Sequence, residues 1–303
     1  MAGHQKALVE RLLYSPKVAP YIFVLPFVVS FCLFFFYPIV STIIMSFQNV
    51  LGLHHNVFIG LANYRRLIDI HFFNAVKTST LYTIFTLLVL IPFPIVFAVF
   101  LSARSMVGKS FFRSILFVPA LTSVIAAGVA FRLIFGETDV WPANRVLELF
   151  GLPPVKWDLY YGSGMFIMVA LASWQWMGVN IVYFLSGLQN IPAELYESAE
   201  IDGAGPLGKF FYITVPLLCP IIVYVLTISI YGGYAVFAQS YVYWTESNPG
   251  DIGLSMIRYI YQQAFQQNDL GLGSAIGITL LAIVFTINIL QLRFFGLFKK
   301  EGF

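Results

Sequence analysis

A chain of 303 residues that is 59% hydrophobic and only 10% charged is too apolar for a water-soluble fold, where those classes run near 45–50% and 25%. The mean hydropathy of +0.83 puts it in a bilayer. So few charges exclude disorder, and a net charge of +3 is too small to argue for nucleic acid. Cys32 and Cys219 lie far apart in apolar runs and indicate neither a disulfide framework nor a metal site.

A helix needs about 20 mostly apolar residues to cross a bilayer. In chain order, six runs reach that length: 21–47, 82–101, 115–135, 165–188, 216–236 and 272–292. None alternates as a barrel strand does. The predicted fold is therefore all-α: a polytopic membrane bundle of six transmembrane helices over 21–296, between a cytoplasmic segment 1–20 and a cytoplasmic tail 297–303. The first run is too long for a cleaved signal, and no small-residue cleavage site follows it. Pro26, Pro38, Pro92, Pro94, Pro119 and Pro220 interrupt the runs. Each removes a backbone donor and is expected to kink its helix.

An even number of spans puts both termini on one side. That side carries Lys6, Arg11, Lys17, Arg104, Lys109, Arg113, Lys209, Arg293, Lys299 and Lys300 in short segments. The other carries Arg65, Arg66, Lys77, Arg132, Arg145, Lys156 and Arg258 in longer ones. The cationic excess predicts cytoplasmic termini. Trp141, Trp157, Tyr160, Tyr161, Tyr241, Tyr243 and Trp244 gather on the outer side, as an interfacial aromatic belt would.

No catalytic constellation is present. His54, His55 and His71 fall in one outer region without a nearby Cys or paired carboxylate, so solvent exposure is expected rather than a metal. Residues 103–110 stand one residue from a Walker A loop, with Ala103 where the first Gly belongs. They follow a membrane helix instead of a strand, so they read as a basic loop that binds no nucleotide. Gly273 and Gly277 form a GxxxG spacing, expected at a close helix contact.

The loop 190–216 between runs four and five is acidic, with Glu194, Glu197, Glu200 and Asp202 against Lys209. The cationic trend of the inner side would not select it. Its pattern predicts a helix, a sharp turn and a second helix. Asn190 is a candidate cap, Pro192 suits a first turn, Gly203 or Gly205 can stop the helix, and Pro206 restarts it. Leu195, Ser198, Ala199 and Asp202 share one face at helical spacing, with Glu194, Glu197 and Ile201 beside it. A short surface helix of this kind suits a groove on a soluble partner.

The order Glu197-Ser198-Ala199, three residues, Gly203, nine residues, Ile213, one residue, Val215-Pro216 resembles the EAA loop of ABC-importer permeases. That pattern reads Glu-Ala-Ala, three, Gly, nine, Ile, one, Leu-Pro, so Ser198 and Val215 depart from it. The flanks Trp174-Gln175-Trp176-Met177-Gly178, Gly187-Leu188-Gln189-Asn190-Ile191-Pro192 and Ile201-Asp202-Gly203-Ala204 are similar to the carbohydrate-uptake branch, with the maltose and glycerol-3-phosphate permeases. So are 119–123, 259–265 and 271–275. The family's Thr-x-Gly-Gly-Pro after the fifth span is replaced by Thr245-Glu246-Ser247-Asn248-Pro249-Gly250.

The resemblance implies a permease subunit with no ATP chemistry and no cofactor, in a bacterial-type inner membrane. It implies a second homologous permease, two ABC ATPase subunits and an external solute-binding protein as partners. Glu197, Ser198, Ala199, Asp202 and Gly203 would form the coupling helix in an ATPase cleft, with Glu197 meeting a basic group.

The solute implied is a sugar or oligosaccharide; glycerol-3-phosphate or another small polar solute is the alternative. Sugars need aromatic faces and neutral polar groups. Trp174, Gln175, Gly178 and Asn180 in run four, Tyr231 and Tyr234 in run five, and Thr122 and Ser123 in run three are the candidates. Gly178 matches a glycine of the family's binding segment. No Lys, Arg or carboxylate stands at these depths, which favours a neutral solute over a phosphate ester. The same absence argues against a secondary transporter, which places ionisable groups inside the membrane.

Overall fold

The computed structural model describes residues 16–50, 56–103, 106–136, 138, 140–244 and 249–296. His54, His55, Arg104, residues 245–248 and most of the two expected terminal segments lie outside the described residues.

The elements, in chain order, are α1 (Ala19–Phe31), α2 (Tyr37–Ser46), β1 (Gln48–Val50), β2 (Asn56–Phe58), α3 (Ala62–Arg66), α4 (Ile70–Leu90) and α5 (Pro92–Ser102). There follow α6 (Lys109–Leu121), α7 (Val124–Ile134), α8 (Pro142–Leu149), α9 (Tyr161–Gln189), α10 (Ala193–Ile201) and α11 (Pro206–Lys209). The chain continues through α12 (Val215–Leu217), α13 (Cys219–Tyr234), α14 (Ala238–Tyr243), α15 (Met256–Tyr261) and α16 (Leu270–Phe294).

Among the described residues, five stretches are long and apolar enough to cross a membrane: Ala19–Ser46, Ile70–Ser102, Tyr161–Gln189, Cys219–Tyr243 and Leu270–Phe294. The pair α6 and α7 makes a sixth if counted as one span, but it is bent by 94°. The span expected at 115–135, with a kink at Pro119, is thus broken into two helices. Pro119 offers no donor to the preceding turn, and Thr122 and Ser123 take extended backbone with ψ of 136° and 130°. Pro92 and Pro94 separate α5 from α4, and Pro220 lies at the start of α13. Pro38 and Pro216 each follow a π-helical turn, Cys32–Phe36 and Phe210–Thr214. Pro26 breaks nothing: α1 continues through it.

The chain divides into two compact units. The first comprises Met1–Arg66 and Gln263–Ile278. Its hairpin, which the apolar-run analysis missed, pairs Gln48 with Phe58 and Val50 with Asn56. Asn63, 1% exposed, donates from Nδ2 to the Ser46 and Gln48 carbonyls at 3.0 and 2.8 Å. Arg66 Nη1 meets Asp269 Oδ2 at 2.7 Å, and Asp269 Oδ1 accepts the Leu272 amide. Gly273 lies so close to Ala264 that a Cβ there would stand 2.5 Å from its methyl, the tight contact expected of that glycine.

The second unit comprises Leu67–Gln262 and Thr279–Phe303. Its axis is α9, which touches α4, α5, α6, α7, α13 and α14. Two apolar clusters lie along it. Tyr82, Met165, Met168, Val236, Trp244 and Ile252 pack around its first half. Ile95, Ala98, Ile181, Phe184, Leu218 and Val225 pack around its second.

Part of the expected aromatic belt packs into a cap at the Tyr161 end, while Tyr160 is exposed. Tyr243 and Trp244 are buried, and Tyr243 OH donates to the Phe135 carbonyl. Trp157 Nε1 donates to Asn144 Oδ1 at 2.8 Å and Trp244 Nε1 to the Asp158 carbonyl at 3.1 Å. Asn144, 2% exposed, also exchanges bonds with both backbone groups of Val155. These indoles satisfy buried polar groups.

Candidate functional site

The acidic loop folds as a helix, turn and helix. α10 starts at Ala193 with Pro192 in the extended conformation before it. Asn190 does not cap it: it ends α9 and donates to the Ser186 carbonyl. The turn is formed by Gly203 at φ +78°, while Gly205 is extended at φ −72°. Gly203 N–H bonds the Glu200 carbonyl at 3.1 Å, and Ala204 N–H reaches the Ala199 carbonyl at 2.8 Å. These two crossed bonds make a Schellman cap. Backbone amides thus hold the turn.

Glu194, Glu197, Ser198, Glu200 and Asp202 are exposed; Tyr196 and Ala199 are half-buried. Tyr196 OH shares a 2.9 Å hydrogen bond with Thr214 Oγ1, and Lys209 Nζ pairs with Glu200 Oε2 at 2.9 Å. Sequence reasoning missed both contacts. Ile201 and Leu207, 87% and 74% exposed, stand bare beside the acids. The loop therefore presents carboxylates and apolar side chains together on a short, braced support.

A cavity of about 420 Å³ lies between α4, α9 and α13, within the usual range for small-molecule sites. From α4 it is lined by Tyr82, Thr86 and Leu90. From α9 come Ala172, Trp176, Val179, Asn180 and Tyr183; from α13 and the break after it come Ile228, Ser229, Tyr231, Gly232, Gly233, Ala235 and Val236, and from α14 comes Gln239. Rings and neutral polar groups share the lining with small and aliphatic residues, and among the described residues no Asp, Glu, Lys, Arg or His lines it.

Behind the break, Ser255 Oγ donates to the Val236 carbonyl at 2.6 Å. Arg258, 5% exposed, donates to Ser240 O and Oγ at 3.0 Å and to the Trp244 carbonyl. Burial lowers the Arg258 pKa from its ordinary value, yet a guanidinium stays charged. It serves here as a multiple donor that ties α15 to the end of α14, where the Ser240 carbonyl also accepts the Trp244 amide.

The eight expected solute contacts separate. Asn180 and Tyr231 line the cavity. Tyr234 is buried with its OH bonded to Thr80 Oγ1 at 2.9 Å. Trp174 is half-exposed, its ring 6.0 Å from Phe131. Gln175 donates to the Thr122 carbonyl at 3.2 Å across the α6–α7 break, which Thr122 and Ser123 form. Gly178 lies against α6, where a Cβ would stand 1.9 Å from the Leu116 carbonyl oxygen.

Thr86, Tyr183 and Ser229 join the lining without having been singled out. Spacing held the signal. Trp176, Val179, Asn180 and Tyr183 follow i, i+3, i+4, i+7, one helical face, whereas Gln175 and Gly178 share the face turned to α6.

Residues 72–298 match the family described as binding-protein-dependent transport system inner membrane component. The chain is 50% identical over 291 residues to the arabinooligosaccharides transport system permease protein AraP of Bacillus subtilis (strain 168), covering 96% of this chain and 93% of that one. It is likewise 50% identical to the AraP of Halalkalibacterium halodurans over 286 residues, 94% of this chain and 90% of the relative. In fold it is similar to a chain in the crystal structure of a bacterial ABC transporter involved in the import of the acidic polysaccharide alginate. There the TM-score is 0.81 at 21% identity, covering 93% of this chain and 96% of that one. The chain belongs to the family of binding-protein-dependent transport system inner membrane components.

Proposed function

We propose that this permease carries neutral oligosaccharides inward through the α4–α9–α13 cavity, driven by ATP hydrolysed on separate subunits. One observation carries the reading: among the described residues the cavity is lined by four rings, four neutral polar side chains and small or aliphatic residues, with no charged side chain. Sugar rings stack on aromatics, and their hydroxyls need hydrogen-bond partners once out of water. A uronic acid or phosphate ester would want a buried cation. The half-identical relatives named as arabinooligosaccharide permeases support the same class.

α10 would dock in a cleft on one ATPase, with Glu197 toward a basic group and Ala199 and Gly203 allowing close approach. A second permease and an external binding protein complete the assembly. α10 is well placed to transmit motion. It follows α9 directly, and the Tyr196–Thr214 bond ties it to the turn leading into α13. Both of those helices line the cavity.

Uptake by the complete transporter in vesicles should require ATP and the binding protein, and should accept a neutral arabinooligosaccharide. Uptake driven by an ion gradient without ATP would overturn the mechanism. Selectivity for an anionic sugar would overturn the solute class alone.

The proposal includes cytoplasmic termini. A reporter fused after Gly302 should therefore read cytoplasmic and one inserted near Asp158 external. The same location for both would contradict the three spans expected between them.

A further inference from the structure

Pro94 follows Leu90 by four residues. In an unbroken helix the N–H of position 94 would serve the Leu90 carbonyl, and proline has no N–H to give. The missing donor comes from another helix: Asn180 Nδ2 reaches the Leu90 carbonyl at 2.8 Å. Asn180 is 4% exposed and Leu90 5%, so this bond is made out of water. Both residues line the cavity. Asn180 Oδ1 accepts no hydrogen bond among the described residues. Buried carboxamides normally use both ends, and here the nitrogen is committed to a backbone gap while the oxygen is left for whatever enters the cavity.

We propose that Asn180 is the residue through which solute in the cavity governs the proline break of the second span. Its Oδ1 accepts a solute hydroxyl while its Nδ2 holds the Leu90 carbonyl. This rests on the cavity being the solute site. The carboxamide is planar, so a solute that fixes the oxygen also fixes the direction of the nitrogen. A filled cavity therefore holds the α4–α5 break in the geometry seen here, and an empty one leaves the amide anchored at a single end. By reciprocity, a conformation that moves α5 and loosens the Leu90 bond weakens the hold on the solute. Release and rearrangement of this span are thereby linked through one side chain.

The test uses the whole importer in vesicles, with a labelled arabinooligosaccharide as the probe. Asn180→Leu removes both ends of the amide, and Pro94→Ala gives the Leu90 carbonyl a backbone donor of its own. Asn180→Leu should raise the KM of uptake about 2–10-fold, the worth of one neutral hydrogen bond, and should also lower turnover. The double variant Asn180→Leu/Pro94→Ala should recover turnover while KM stays raised. If Asn180→Leu alone fails to assemble, the double variant still supplies the KM. Recovery of both parameters in the double variant would make Asn180 a structural cap only and overturn the proposal; so would an unchanged Asn180→Leu. Tyr231→Ala leaves the Asn180–Leu90 bond in place and reports on the cavity itself. If it raises KM while the double variant matches wild type, the role of Asn180 fails and the cavity stands. If neither changes KM, the cavity reading fails with it.

Discussion

Gly178→Ala should lower the thermal midpoint of the purified complex sharply, although the change adds one methyl group. The added Cβ would stand 1.9 Å from the Leu116 carbonyl oxygen, 2.5 Å from its carbon and 2.9 Å from the Phe117 nitrogen. All three are backbone atoms, so no side chain can swing aside. α6 must move off α9, and the Gln175–Thr122 bond at 3.2 Å must stretch with it. Overpacking of this kind costs typically 1–3 kcal/mol and more where the neighbour is rigid; we expect about 3 kcal/mol. Gly162 provides the control. It lies in the same helix and a Cβ there meets nothing within 4 Å, so Gly162→Ala should be neutral or mildly stabilising. Equal midpoints for the Gly178 and Gly162 variants would show that the contact at Leu116 is not tight in the membrane.

What was legible in the sequence follows the range of the interactions involved. Membrane spans are a composition effect summed over about 20 residues, so their order survived. Their ends did not. The second span starts at Ile70, well before its most apolar part, because Asn74, Lys77, Thr78, Ser79 and Thr80 dilute its first turns. An Asp69 cap to the His71 amide nevertheless starts the helix there. The helix, turn and helix of the acidic loop were legible because their signals are local: a glycine with positive φ stops a helix wherever it stands.

The cavity lies in the regions singled out in runs four and five, and periodicity separates the α9 face that lines it, with Trp176, from the one that carries Trp174. The amides at the helix breaks could not be anticipated. Asn180 serves a carbonyl 90 residues away in sequence, and only the folded packing reveals which side chain reaches the carbonyl that a proline leaves without its donor. The partners of the aromatic cap were hidden for the same reason: the carboxamide of Asn144 that holds the Trp157 N–H is seen only in the fold.

Gly203→Val should reduce ATP-driven uptake at least tenfold while leaving the chain inserted and assembled. Gly203 stands at φ +78°, and its N–H closes the Schellman cap on the Glu200 carbonyl. A Cβ built there meets nothing within 4 Å, so crowding by neighbours is not the cause. The penalty is in the backbone: a β-branched residue in the left-handed region costs about 1–3 kcal/mol. α10 spans nine residues, and helices so short are marginal without their caps and contacts. The chain can escape the strain by turning φ negative, which breaks both crossed bonds and redirects the segment toward α11. The exposed acids of α10 and the half-buried Ala199 would then no longer be presented as one rigid surface to the ATPase.

Two controls separate this account from a general intolerance of the loop. Asn adopts the left-handed conformation far more readily than Val, so Gly203→Asn should keep most of the uptake. Gly205 has φ −72° and open space around it, so Gly205→Ala should be silent. Retained ATP hydrolysis with lost uptake in Gly203→Val would locate the defect in transmission through α10. Normal uptake by Gly203→Val would show that the cap does not govern coupling, and loss of uptake in all three variants would point to contact with the partner surface at the turn itself.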